Sequence, residues 1–116
     1  MNIQMKYGVQ IWREIKKNVE KYAQKKEEIV PETRATDLFY TDTTEGKNRY
    51  GQVLFDTFEY VNKLTGKELR IDYKRHTEFQ HFKEIQDIWI YFINKLENLG
   101  DRDSEEGNVI QLPRQL

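Results

Sequence analysis

A chain of 116 residues is the size of one compact domain, and 37% hydrophobic against 34% charged residues leaves enough apolar material for one small core. Lys+Arg 19 against Asp+Glu 20 give a net charge of −1, and Gly 6, Pro 2 and Cys 0 exclude collagen-like sequence, a disulfide framework and Cys-ligated zinc. No apolar run approaches a membrane span, and the first residues lack the pattern of a secretory leader, so a cytoplasmic protein is expected. Tyr 7, Phe 6 and Trp 2 make that core aromatic and argue against disorder over most of the length. Frequent Lys, Ile, Asn and Tyr point to an AT-rich genome, such as a low-GC bacterium or its phage.

The first predicted element is an amphipathic helix from Met5 to Ile29. Met5, Trp12, Ile15, Val19, Tyr22 and Ile29 fall on a three-four seam that Gly8 and Lys26 interrupt. Arg13, Lys16, Lys17, Glu20, Lys21, Gln24 and Lys25 form its outer face, and Pro31 ends it. Ile3, Met5, Tyr7, Val9 and Ile11 also alternate with period two, so a short strand over Asn2–Lys6 is the rival. Residues Pro31 to Asn48 read as a long connection. The apolar island Asp37–Tyr40 suits one helical turn or a short strand, and Thr41–Gly46 has turn chemistry.

A second helix is predicted over Arg49–Leu64, with Tyr50, Leu54, Phe58, Val61 and Leu64 on one face and Gly66 closing it. Its rival is a hairpin pairing Val53–Val61 with Leu69–Tyr73. The third and clearest helix runs from Glu78 to Leu99. Phe82, Ile85, Trp89, Phe92, Leu96 and Leu99 step by three and four, Thr77 with Gln80 is a capping start, and Gly100 is the stop. The sum is an all-α domain, or mostly α with a minor strand pair. Three main helices over residues 1–99 precede an acidic flexible tail over 100–116 that ends in a short apolar segment.

The candidate sites follow from two surpluses. Ile88-Trp89-Ile90-Tyr91-Phe92-Ile93 surrounds its helix with apolar groups, more than one core face needs. Ile88, Ile90, Tyr91 and Ile93 are therefore the candidate interaction surface, together with Val109, Ile110 and Leu112 of the tail. The second surplus is basic. Lys16, Lys17 and Lys21 on the first helix, with Lys67, Arg70, Tyr73, Lys74 and Arg75, form an alternative surface for a nucleic-acid backbone, Tyr73 stacking on a base.

Chemistry is less well supported. Glu78, His81 and Glu84 share a helical face that can chelate a metal, but no second Glu-x-x-His supplies a dinuclear site. Arg70 and His76 have the loose spacing used by helical-bundle ribonucleases of the HEPN class, yet Ile71 stands where that family places Asn, Asp or His, and no family is assigned. Glycine-rich phosphate loops are absent, and the lone Ser104 sits in the expected tether. The expected function is a small non-enzymatic protein–protein interaction module, without cofactor or metal, of the phage or mobile-element accessory kind, and prone to homo-oligomerise. A nucleic-acid-binding regulator is the alternative, and a metal- or His-dependent nuclease a distant third.

Overall fold

Gly8, Ile11, Ile15, Asn18 and Val19 recur in steps of three, four, three and one and form the buried stripe of the first helix, α1 (Ile3–Tyr22). Among the described residues three further helices follow: α2 (Ala35–Leu38), α3 (Thr44–Thr65) and α4 (Ile85–Ser104). The protein is seen in a computed structural model that describes residues 3–69 and 82–104, with side chains to residue 98. The fold is all-α, as the spacing predicts. Among the described residues the only β-type pairing is an isolated bridge between Arg34 and Glu84.

α1 is helical from Ile3, so the period-two alternation at its start is not a strand. Met5, expected in the seam, is 77% exposed, and Ile11, outside the expected seam, is fully buried. The seam is rotated because Gly8 is a contact and not a gap. The indole of Trp89 lies on it, donating from Nε1 to the Gly8 carbonyl at 2.8 Å. A Cβ at Gly8 would stand 3.2 Å from that ring. α1 also ends at Tyr22, seven residues before the predicted end. The amides of Gln24 and Lys25 turn away to the Leu38 carbonyl, at 2.8 and 3.0 Å.

The apolar island becomes the single turn α2, with Leu38 and Phe39 buried and Tyr40 48% exposed. The Asp37 carboxylate accepts the Arg34 amide at 3.1 Å and closes its first turn. The turn chemistry over Thr41–Gly46 is the start of α3, five residues earlier than predicted. Thr43 caps the helix by accepting the Gly46 amide at 3.0 Å. At the other end Gly66 takes φ 72° and donates to the Asn62 carbonyl at 2.9 Å, the left-handed stop the sequence implies. Since Val53–Val61 is helical, the rival hairpin is excluded.

α4 begins at Ile85 and not at Glu78. Residues 82–84 are not helical, because this stretch pairs with the connection: Ala35 donates to Lys83, Ile85 to Thr33 and Gln86 to Pro31, at 2.8, 2.8 and 3.0 Å. The Asp87 carboxylate accepts the Glu84 amide at 3.0 Å at the helix start. The capping pair Thr77 and Gln80 lies outside the described residues. Gly100 does not stop the helix, which continues to Ser104.

α1 and α3 run antiparallel. Arg49 near the start of α3 reaches the Tyr22 carbonyl at the end of α1 (3.3 Å), and Asn18 donates to Thr57 one layer further in (3.1 Å). α4 runs in the same sense as α3, since Tyr50 donates to the Phe82 carbonyl just before α4 (2.7 Å) and Phe58 meets Phe92 eight residues on, at 4.7 Å between ring centres. α4 therefore runs against α1. The three long helices enclose Ile11, Ile15, Val19, Val53, Leu54, Val61, Ile85, Ile88, Phe92 and Leu96, all nearly or fully inaccessible, with Leu38 and Phe39 of the connection completing the core.

Candidate interaction face on the first helix

The apolar surplus around Trp89 proves to be mostly internal. Ile88 is fully buried and Ile93 is 5% exposed, so neither is available as a surface. Tyr91 is half-buried and meets Phe82 at 5.2 Å and Phe58 at 6.2 Å. α4 spends its apolar groups in two directions, Trp89 toward α1 and Tyr91 with Phe92 toward α3, which is why six consecutive residues around one helix leave little outside. Ile90 alone of the four stays 42% exposed. Val109, Ile110 and Leu112 lie outside the described residues.

The most exposed apolar groups among the described residues, which that reading missed, are on α1. Met5 is 77% and Val9 63% exposed. They stand one turn apart on the helix, and the same strip continues through Arg13 and Lys16 in steps of four, four and three, which stack side chains along one line. In the sequence Met5 falls in the expected buried seam, and Val9 only in the rival strand alternation, so the strip emerges only once the buried side of α1 is known. Val9 follows Gly8 and Ile90 follows Trp89, so both exposed aliphatic groups are sequence neighbours of the residues at which α1 and α4 touch.

The basic residues of α1 are not equivalent. Lys17 lies 4.0 Å from Glu14, and Lys21 lies 3.8 Å from Asp56. Lys6 lies over the Tyr7 ring. Beyond α1, Lys25 donates to the Thr36 carbonyl at 2.9 Å and covers the Tyr40 ring. Arg13 and Lys16, both exposed, have no ion-pair partner among the described residues. Of the alternative nucleic-acid surface, Lys16, Lys17 and Lys21 thus share a helix, and among the described residues Lys16 is the one of the three with no carboxylate within ion-pair distance. Lys67 is half-buried beyond the end of α3, and Arg70, Tyr73, Lys74 and Arg75 lie outside the described residues.

A second polar region lies where the end of α1 meets the start of α3. Tyr22, Thr44, Glu45, Asn48, Arg49 and Gln52 line a shallow depression of about 630 Å³. Arg49 is held there by Glu45 at 2.9 Å as well as by the Tyr22 carbonyl. Beside it the Asp56 carboxylate accepts from Tyr22 at 2.7 Å and from Gln52 at 2.8 Å. Burial alone would raise the Asp56 carboxyl. The hydrogen bonds from Tyr22 and Gln52 and the charge of Lys21 outweigh it and hold the group below the usual carboxylate range. A carboxylate so held is a weak base near neutral pH and makes a poor proton acceptor for catalysis. The hydrogen bond to Asp56, and then burial, raise the Tyr22 phenol above its ordinary value.

No described group of His, Cys, Asp and Glu is disposed to hold a metal ion. Of the Glu78, His81 and Glu84 cluster only Glu84 is described, and the Arg70 and His76 pair also lies outside. No described helix is long and apolar enough to cross a membrane. Compared with protein-family models, curated proteins and solved structures, the chain matches none of them.

Proposed function

We propose that the domain is a non-enzymatic protein–protein interaction module that docks an acidic, amphipathic segment on the outer strip of α1. The observation that carries this reading is the placement of exposed Met5 and Val9 in line with Arg13 and Lys16, exposed cations with no ion-pair partner among the described residues. Two exposed aliphatic side chains offer apolar area to a partner. Cations one and two turns further along select carboxylates and reject a basic partner. The same charges disfavour packing two such strips face to face, so the partner brings a different surface. A nucleic-acid backbone is less well served, because a phosphate-binding stripe gains little from Met5 and Val9, and Glu14 and Asp56 place carboxylates beside Lys17 and Lys21.

The test is the binding of a synthetic peptide with two glutamates three residues ahead of three apolar side chains, followed by anisotropy of a label on the peptide. Val9→Glu and Arg13→Glu each weaken binding while the melting temperature stays unchanged, since both positions are exposed. Peptide binding indifferent to both substitutions rejects the reading. Oligonucleotide binding that falls steeply with salt and is lost in Lys16→Glu would favour the alternative.

A further inference from the structure

We infer that the segment docked on the α1 strip is a helix lying across α1 and α4 together, antiparallel to α1, with carboxylates in its first turn and cations in its last; this rests on the reading of the strip given above. The placement follows from counting about 100° per residue around each helix from the point where the two touch, Gly8 on α1 and Trp89 on α4. Because α1 and α4 are antiparallel, equal counts forward from that contact turn both helices toward the same face. Asn18 and Phe92, which meet Thr57 and Phe58 of α3, fall about 80° and 60° to one side of the contact. Val9 and Ile90 fall about 100° to the other side, and Lys16 and Glu97 about 80°. α3 therefore covers one face of the α1–α4 pair. The opposite face is open at its centre, where Val9 is 63% and Ile90 42% exposed. These two stand level to within about 3 Å along the pair, and Met5 adds a third exposed apolar group about 6 Å from Val9.

The two ends of this open face differ in charge, and that difference sets the form and direction of the partner. Arg13 and Lys16 stand about 8 and 12 Å from the contact, toward the end of α1. Glu97 stands about 12 Å the other way, toward the end of α4. Like the two cations, it has no ion-pair partner among the described residues. Glu20, one turn past Lys16, bounds the cationic end. Lys16 and Glu97 are thus about 24 Å apart along the face, the length of a helix of about 16 residues. A helix has its own charge preference, carboxylates at its N-terminus and cations at its C-terminus. Laid antiparallel to α1, it brings its first turn to Arg13 and Lys16 and its last to Glu97, so one charge order suits both the helix and the face. Laid parallel, it would need a cationic first turn and an acidic last turn, against its own dipole. An extended segment gains nothing from the order of its end charges. Between the ends, apolar side chains three and four residues apart meet Met5, Val9 and Ile90.

The experiment compares two labelled synthetic peptides of about 16 residues and identical composition, read by anisotropy against the full-length protein. One has glutamates in its first turn, apolar side chains at helical spacing, and lysines in its last turn. The other has the two end charges exchanged. The first binds roughly ten-fold or more tightly than the second, and its helical circular dichroism rises on binding. Ile90→Glu and Glu97→Lys each weaken the first peptide by roughly three-fold or more, with the far-ultraviolet spectrum of the protein unchanged. Changing the peptide's last-turn lysines to glutamate restores binding to the Glu97→Lys protein. A nitroxide on the peptide's first residue broadens amide signals around Lys16, and one on its last residue those around Glu97. Equal affinity for the two charge orders, no gain of helix, or indifference to both Ile90→Glu and Glu97→Lys would overturn the inference. Where binding in that case still falls in Val9→Glu and Arg13→Glu, the docking strip stands and the helix across the pair is lost. Binding indifferent to Val9→Glu and Arg13→Glu removes both.

Discussion

Gly46 is held by space and not by backbone angle. A Cβ there would sit 1.9 Å from the Tyr40 carbonyl oxygen, a backbone atom that Thr43 also bonds at 2.7 Å. Alanine is worth about 1 kcal/mol over glycine in an open helix interior. Here that gain is overtaken, because the connection must lift off α3 and the Thr43 cap opens with it. Gly46→Ala is expected to lower stability by about 2–4 kcal/mol, seen as a fall in the urea midpoint. A raised midpoint would show that the connection yields freely. The buried pair Asn18 and Thr57 makes a comparable demand, since the Thr57 hydroxyl accepts from Asn18 at 3.1 Å and donates to the Val53 carbonyl at 2.7 Å. Thr57→Val strands the Asn18 amide and costs about 1–3 kcal/mol. Replacing both by apolar residues of similar shape recovers part of that loss. Additive losses in this double-mutant comparison would mean the two residues do not act as a pair.

At the level of helices, legibility follows how local the deciding contact is. Gly66 was readable as the stop of α3 because a left-handed residue is a property of its own backbone. The buried face of α4 was readable because Ile85, Phe92 and Leu96 repeat within one helix. The rotated seam of α1 was not, since it turns on Trp89 resting on Gly8, a contact across 81 residues of sequence. The early end of α1 and late start of α4 share that cause: amides near both ends bond the connection, and periodicity carries no trace of such partners. The candidate site divides the same way. Arg13 and Lys16 were visible as an outer face, whereas Met5 and Val9 could be found only after α1's true buried side was known. The contrast between two aromatics of α4 is testable. Phe92 is fully buried, so Phe92→Ala should cost about 3–5 kcal/mol. Trp89 is half-buried, and Trp89→Phe, which keeps a ring and loses the bond to Gly8, should cost only about 1 kcal/mol. Equal losses by chemical denaturation would contradict this division between core and seam.

For the molecule as a whole, the polar contacts that tie separate elements together set a window of pH. Tyr50 joins α3 to the approach of α4 through the Phe82 carbonyl, and burial, then the nearby Asp87 charge, raise its phenol well above the ordinary value. A raised acid keeps its proton in the folded state while the unfolded chain gives it up. Its stabilisation is therefore complete below about pH 10 and declines as pH rises beyond that toward the folded value. Tyr22, raised by its bond to Asp56, acts in the same direction but more weakly, being more exposed. Asp56, which links α1 to α3, is lowered, so its contribution is present above about pH 4 and declines as pH falls through its folded value. The melting temperature should thus hold a plateau through neutral pH and drop at both ends. Asp56→Asn should flatten part of the acid limb. Tyr50→Phe should lower the plateau by the loss of one buried hydrogen bond, about 1 kcal/mol, and flatten the alkaline limb more than Tyr22→Phe does. Parallel alkaline limbs for Tyr50→Phe and the unmodified protein would show that Tyr50 does not hold the two ends of the fold together through its phenol.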